Sequence, residues 1–290
     1  MFDDLNLTEL ILKTINELFG NLFSSIDNSL YSVLDSIVFI DSTITKNNSF
    51  ANIIGTNSTE GLILICNSLV LGFIIYFSIN YLLSHLIYSN SETPKQFIFK
   101  SIIFIAIMNS SLWICEEIIF INSVITQAIS SIGLKLFHTE INFSNFINHI
   151  NQNIYLNSTD FSIISFDGII KSFSTFGLLN LVFTYSLRYI MVQTFVLISP
   201  FAFISLLNSK TSFFFNVWLK TFISLLLMQV LLSIILLLSF TIDISSSVPL
   251  SKLLFIGVIY ALLRTNTYIK ELFGGISTEV SSSLFLRNFN

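Results

Sequence analysis

Hydrophobic and polar residues alternate along this chain as long apolar stretches separated by short polar turns. Clear apolar stretches run from Leu62 to Tyr88, from Phe97 to Ile114 and from Phe213 to Phe240. Each is long enough to supply the roughly 20 residues of helix that cross about 30 Å of hydrocarbon. The pattern therefore predicts a membrane-spanning helix over each of these three stretches.

Two further apolar stretches differ from the usual length of a span. Residues 169–207 form a stretch of 39 residues, which as one helix would measure about 58 Å at 1.5 Å per residue. We expect one long helix whose first turns project beyond the membrane, with a broken helix as the alternative. Pro200 should kink its far end, because proline removes a backbone donor and clashes with the preceding turn. Residues 250–263 form a short fifth span.

The remaining regions are more polar. Residues 5–40 place apolar side chains in helical steps on one stripe, opposite Lys13, Glu17 and Asp35, which predicts an amphipathic helix along the membrane surface or against a partner. Residues 41–61 have the composition of a polar loop. The predicted organisation is an extracytoplasmic helix and loop over 1–61, a five-span transmembrane domain over 62–264 with a central outside loop at about 118–168 that is helical in part near 118–136, and a cytoplasmic tail over 265–290.

Composition narrows the class of protein. Hydrophobic residues make up 53% of the 290 positions and charged residues only 10%, whereas soluble domains carry about 25% charged residues. So few charges cannot cover a water-facing globule of this size, which excludes a soluble enzyme, a disordered chain and a basic nucleic-acid-binding module. The sequence predicts an all-α polytopic membrane protein.

The distribution of basic residues predicts its orientation. Lys and Arg concentrate in the cytoplasmic loops of membrane proteins. On the predicted topology, the cytoplasmic turns, tail and flanks hold Lys95, Lys100, Lys210, Lys220, Arg264, Lys270 and Arg287, and the longer outside regions hold Lys13, Lys46, Lys135, Lys171 and Lys252. We therefore expect a multi-pass protein of a bacterial inner (cytoplasmic) membrane, with its N-terminus outside and its C-terminus in the cytoplasm.

Polar residues within the apolar stretches are the candidate functional residues. Arg188 lies midway along residues 169–207, and an arginine at the bilayer centre costs ~2.5–3.5 kcal/mol even on insertion scales. It either faces a helix interface or water-filled path, or extends to the outer headgroups. Gln193 and Gln229 are candidates for interhelical hydrogen bonds. Glu116 and Glu117 either pair with Arg188 or mark the membrane boundary.

Catalytic and metal-binding arrangements are not evident. His85, His138 and His149 lie far apart without the spacing of metal ligands. Cys66 and Cys115 both lie in apolar runs, where buried free thiols are the simplest interpretation. We therefore expect no enzymatic activity, no cofactor and no metal.

Three segments resemble a known family of membrane proteins. They are Arg188-Tyr189-Ile190 followed by Ile198-Ser199-Pro200-Phe201-Ala202-Phe203, then Trp218-Leu219-Lys220-Thr221-Phe222-Ile223-Ser224 with Gln229, and finally Ile269-Lys270-Glu271-Leu272-Phe273-Gly274-Gly275. They are similar to the TrbL-like family of polytopic inner-membrane subunits of conjugation and type IV secretion machines. The predicted topology is also similar to that of the family.

The resemblance implies a channel or scaffold subunit of a DNA-transfer machine. It implies a ring of copies of the chain in membrane lipid, with pilin-like or surface subunits outside and ATPases inside. Transferred DNA or protein would make only transient contact, since the central loop holds one lysine against three acidic residues. The alternatives are a stand-alone transporter or permease subunit for a small solute, and an immunity or phage-resistance membrane protein.

Overall fold

The described part of the chain is helical. The computed structural model describes residues 11, 13–18, 20–21, 33–46, 48–55, 61–87, 93–153, 166–208, 210–242 and 249–273, and no β-strand occurs among them. The helices are α1 (Asn48–Ile54), α2 (Leu62–Ile87), α3 (Pro94–Asn109), α4 (Ser111–Phe137), α5 (Phe143–Asn153), α6 (Phe166–Ile204), α7 (Phe213–Ser239) and α8 (Pro249–Phe273). Short 3-10 turns occur at Ser42–Thr45 and Ser205–Leu207.

Among these helices, four are long and apolar enough to cross a membrane. They contain the stretches Leu62–Ser84, Ser111–Phe137, Gly168–Leu207 and Phe213–Ser239. The expected all-α polytopic membrane protein is confirmed to that extent. The set of spans differs from the five that the sequence predicts, and the differences lie in α3, α4 and α8.

The second predicted span is divided between two helices. α3 ends at Asn109 after 16 residues, about 24 Å, and α4 begins at Ser111. α4 continues to Phe137, so the first part of the expected central loop is a long helix. Its buried residues include Asn122, Ser123 and Thr126, whereas Ile121, Val124 and Ile125 are exposed. The polar side of α4 faces the protein and its apolar side faces outward. The mean hydropathy of α4 is therefore lower than the hydropathy of its outward-facing side, and a span was not expected there.

The predicted fifth span lies within α8, which is not among the four helices long and apolar enough to cross a membrane. α8 runs from Pro249 to Phe273, so the expected boundary at 264 falls within a helix. Arg264 lies on its exposed side, where its Nε donates to the Tyr260 hydroxyl at 3.1 Å. Residues 274–290 of the expected tail lie outside the described part of the chain. α8 packs against α6 and α7 through buried apolar side chains such as Phe255 and Ile259.

Residues 166–204 form one continuous helix, α6, which contacts α2, α3, α4, α7 and α8. Pro200 lies inside this helix and lacks the N–H that would bond to the carbonyl of Val196. That carbonyl instead accepts the Ser199 hydroxyl at 2.7 Å. A neighbouring hydroxyl thus satisfies the backbone group that proline frees, as is common in membrane helices. The helix then tightens into the 3-10 turn at Ser205–Leu207.

The N-terminal region packs into the helical core. Residues 33–38 are helical, 39–41 are extended or bent, and 42–45 form a 3-10 turn; we call residues 33–45 the N-terminal strap. Leu34, Val38 and Ile40 of the strap are almost completely buried. Val33 is exposed, because apolar side chains in this protein also cover its outer surface. Most of residues 5–32 lie outside the described part.

The two ends of the strap lie near opposite ends of α4. The carboxylate of Asp35 accepts the N–H groups of Phe143 and Ser144, just after the C-terminal end of α4. The Thr45 hydroxyl donates to Glu116 Oε1 at 2.6 Å, in the second turn of α4. From Glu116 to Phe137, α4 measures about 32 Å. The strap therefore passes through the bundle along most of the length of α4, in a region for which a polar loop was expected from residue 41 onward.

Candidate functional site

A buried arginine joins the strap to helices α6 and α7. Arg188 of α6 is completely buried, and its guanidinium makes three hydrogen bonds. Nε donates to the Leu225 carbonyl at 2.8 Å, Nη1 to the Val38 carbonyl at 2.9 Å and Nη2 to Gln229 Oε1 at 3.4 Å. All three acceptors are neutral oxygens. The guanidinium is therefore held by backbone and amide dipoles.

Gln229 of α7 pairs with the extended part of the strap. Its Oε1 accepts the Ile40 N–H at 3.1 Å, and its Nε2 donates to the Ile40 carbonyl at 3.3 Å. In an antiparallel β-sheet, a residue of the neighbouring strand makes the same two hydrogen bonds, one to the N–H and one to the carbonyl of its partner. We call the group formed by Arg188, Gln229, Val38, Ile40 and the Leu225 carbonyl the Arg188 centre.

The Arg188 centre supplies hydrogen-bond partners to the non-helical backbone of the strap. Strap residues 39–41 are non-helical, and in hydrocarbon each unpaired N–H or C=O group costs several kcal/mol. The guanidinium has five N–H donors in a planar fork, which suits several carbonyl acceptors at once. It also lies at the carbonyl end of the helical turn 33–38, where the helix dipole favours a cation.

The centre lies about midway along the spans that form it. Gln229 is 16 residues from the start of α7, about 24 Å along a helix of about 40 Å. Arg188 is likewise 16 residues before the end of α6. The non-helical backbone of the strap therefore lies near the middle of these helices, and at the middle of a membrane span such backbone is tolerated only when protein surrounds it.

A tyrosine connects the same region to α8. Tyr185, one turn before Arg188 on α6, is completely buried, and its hydroxyl donates to the Leu262 carbonyl at 2.9 Å. No motif in the sequence marks Tyr185. Tyr185 lies three residues before Arg188, which places both side chains on one side of α6. This spacing is the indication in the sequence that Tyr185 belongs to the same region. Together, Tyr185 and the Arg188 centre join the strap, α6, α7 and α8.

The other predicted site residues lie outside this centre. Gln193 and Pro200 are on α6, half-buried and buried respectively. Glu116 binds Thr45 of the strap, whereas the acceptors of Arg188 are Val38, Leu225 and Gln229. Glu117 and Lys220 are exposed. The structure thus brings together two of the predicted residues, Arg188 and Gln229.

The described residues offer little for catalysis or metal binding. No cluster of three or more His, Cys, Asp or Glu side chains suited to a metal ion occurs among them. His138 is the C-cap of α4 in a left-handed conformation, with φ of 54°. His149 lies against Phe240, with ring centroids 5.6 Å apart, beside an open cavity of about 370 Å³. The side chain of His85 is outside the described part.

The polar side chains of the Arg188 centre are closed off from solvent. Arg188 and Gln229 are 0% and 1% exposed, so that no solute reaches their polar atoms while the strap is in place. In comparisons with known proteins, the chain matches no protein-family model, no curated protein and no solved structure.

Proposed function

We propose that this chain is a channel or scaffold subunit of a bacterial conjugative, type IV secretion DNA-transfer machine. The observation that carries the proposal is the surface of α2. Only 11% of its membrane span is buried by the rest of the chain, against 50% and 56% for the spans in α6 and α7. α2 meets the core through Cys66 and Val70 near its start. Such a bare span suits a subunit whose neighbours in the membrane include other protein chains.

The closed Arg188 centre supports a scaffold role. Solute carriers commonly bind their substrate near mid-membrane, at helices that are interrupted there. Here the non-helical backbone at that depth is bonded to Arg188 and Gln229 of the same chain. The centre then stabilises one arrangement of the strap and three helices, on which an assembly can be built.

The proposed setting follows from the sequence resemblance. The chain would lie in the bacterial inner membrane as several copies, with its N-terminus outside and its C-terminus in the cytoplasm. Pilin-like or surface subunits would be its outer partners, and ATPases its inner partners. Transferred DNA or protein would pass with transient contact, because the described central region from Phe137 to Asn153 offers no basic cluster.

A stand-alone transporter for a small solute is the second candidate, and one observation favours it. A buried arginine beside non-helical backbone at mid-membrane depth is the kind of feature that transporters use to bind anionic groups. In that case the strap would have to leave the centre during each transport cycle.

A mating assay in the native donor strain separates the two functions. An in-frame deletion should abolish transfer of the mobile element, and the wild-type chain supplied in trans should restore it. Arg188→Leu should insert into the membrane but restore transfer poorly, because the strap loses a bond that positions it. Lys220→Leu is the matched control, since it removes an exposed cation from the adjacent helix, and it should restore transfer fully.

Membrane levels of each variant, measured by immunoblot, distinguish poor insertion from poor function. Unchanged transfer in the deletion strain, together with altered uptake or export of a solute, would contradict the secretion proposal and favour the transporter. Full complementation by Arg188→Leu would show that the Arg188 centre has no part in transfer.

A further inference from the structure

α2 and α3 enclose a groove that the proposed function leaves unexplained. The Phe77 and Phe97 rings stack with centroids 3.7 Å apart, and the groove beside them has a volume of about 520 Å³. Its walls are mostly apolar and include Ile74, Tyr81 and Ile105. Because α2 is the least covered span, this groove opens on the surface that faces lipid or a neighbouring protein.

One buried polar atom faces into this apolar groove. Ser101 of α3 lines it and is only 6% exposed, and its hydroxyl has no hydrogen-bond partner among the described residues. Serines in helices commonly donate to a carbonyl one turn earlier, as Ser68 and Ser78 of α2 do. A buried hydroxyl without a partner is unfavourable, so Ser101 has a free donor for a ligand in the groove.

The other end of the groove attracts anions. Pro94, at the first position of α3, forms part of its lining and has no N–H group. The N-terminus of a helix nevertheless carries partial positive charge. The exposed Lys95 adds a cation there. The span of α2 ends at Ser84, so this end of the helix pair lies at the depth of lipid headgroups. Ser101 is about 10 Å further along α3.

The groove is elongated along α3. From Pro94 to Ile105 its lining extends for about 16 Å, and the walls along that length are mostly apolar. A single hydrocarbon chain fits a groove of this kind.

We propose that the groove between α2 and α3 binds one anionic glycerophospholipid. The phosphate lies at the N-terminus of α3 beside Lys95, an ester carbonyl accepts the Ser101 hydroxyl, and an acyl chain fills the apolar groove past Phe77 and Phe97. The volume, the unpaired donor and the positive end of the groove each match one part of such a lipid.

The test uses full-length protein, purified in dodecyl maltoside and titrated with dioleoylphosphatidylglycerol. Native mass spectrometry should show one retained phosphatidylglycerol, and the Tm should rise more than with dioleoylphosphatidylcholine. Ile98→Trp fills the groove from its exposed mouth and should abolish retention, whereas Phe99→Trp, on an exposed position outside the lining, should retain the lipid. Ser101→Ala should weaken binding about fivefold, as for loss of one hydrogen bond.

Three results would overturn the proposal. Equal retention by Ile98→Trp and Phe99→Trp would place the lipid elsewhere on the protein. The same rise in Tm with inorganic phosphate alone would reduce the site to a free-anion site. Loss of self-association in Ile98→Trp with unchanged lipid retention would make the groove a contact between copies. A Tm for lipid-free Ile98→Trp close to that of the wild type shows that the variant folds.

Discussion

At the scale of single residues, the Arg188 centre shows how this protein tolerates an arginine inside its apolar core. The guanidinium bonds to neutral oxygens of Val38, Leu225 and Gln229. Each charge-assisted bond is stronger than a neutral one, and the bond to Val38 satisfies a backbone carbonyl of the strap. A lysine has a compact ammonium group and could not span the same three acceptors.

The two glutamines that the sequence predicts as hydrogen-bonding residues provide a matched pair of variants. Gln229→Leu should lower the Tm in detergent by about 5 °C, since the two bonds to Ile40 are lost at a cost of about 2 kcal/mol. Gln193→Leu should change stability by less than about 0.5 kcal/mol, because Gln193 is half-buried and outside the Arg188 centre. Thermal unfolding followed by tryptophan fluorescence measures both.

Proteolysis provides a second measurement of the same effect. Cleavage within residues 33–45 should become faster in Gln229→Leu and stay slow in Gln193→Leu. Equal Tm values for the two variants would mean that the pairing with Ile40 does not stabilise the fold.

At this scale the sequence reveals polar side chains but not the backbone groups that they bind. Arg188 and Gln229 stand out because each is polar in an apolar stretch. Their partners at Val38 and Ile40 are backbone groups, which every residue carries, so no sequence pattern marks them. Gln193 resembles Gln229 in the sequence, and only the rotation of each helix about its axis distinguishes the two.

At the scale of helices, hydropathy reveals the spans that are apolar on every side. It does not reveal a span that has a polar side buried against the protein. α2 and α7 are apolar all round and are evident from hydropathy. α4 buries Asn122 and Thr126 against the protein, and its moderate mean hydropathy hid a span within a predicted loop. The kink expected at Pro200 stays a prediction, although this proline does lie inside a helix. The bond from Ser199 to Val196 depends on side-chain geometry and not on composition.

Close packing of α6 on α8 depends on a glycine. A Cβ atom at Gly177 would lie 2.6 Å from Cγ2 of Ile259, whereas at Gly257 of α8 it would meet no atom within 4 Å. Gly177→Leu should therefore force the helices apart and destabilise the protein by about 2 kcal/mol. Gly257→Leu introduces the same side chain on an exposed position and should be tolerated.

Thermal unfolding in detergent compares the two glycine variants directly. If both variants unfold at the wild-type temperature, the contact between α6 and α8 at Gly177 is looser than the structure indicates. If only Gly257→Leu is destabilised, that side of α8 packs against another copy of the chain.

At the scale of the whole molecule, the strap and the α6–α7 hairpin define two ends of the bundle. Phe137 and Phe240 meet at one end, with ring centroids 6.1 Å apart, and the turn 208–212 closes the other. Thr45 and Glu116 meet near the start of α4, whose Cys115 shares a cluster with Phe203 and Leu207. The strap therefore carries the chain from the first end towards the second.

Single cysteines can assign these ends to the two sides of the membrane. In a chain with Cys66→Ala and Cys115→Ala, a thiol reagent that does not cross membranes should label Asn148→Cys in intact cells. Lys210→Cys and Lys46→Cys should be labelled only after permeabilisation, because the strap brings residue 46 towards the turn at 208–212. For residue 46 this differs from the sequence prediction, which places all of 1–61 outside. Labelling of Lys46→Cys together with Asn148→Cys would show that the strap does not pass through the bundle.

The bond between Ile40 and Gln229 joins residues 189 positions apart in the sequence. At about 5–20 residues per second, a ribosome needs roughly 10–40 s to make the chain between them. Throughout that interval the strap has emerged while its partners on α7 do not yet exist. The order of synthesis is therefore opposite to the order of assembly: residues 33–45, which are made before the membrane helices, reach their final position only after most of those helices have been inserted.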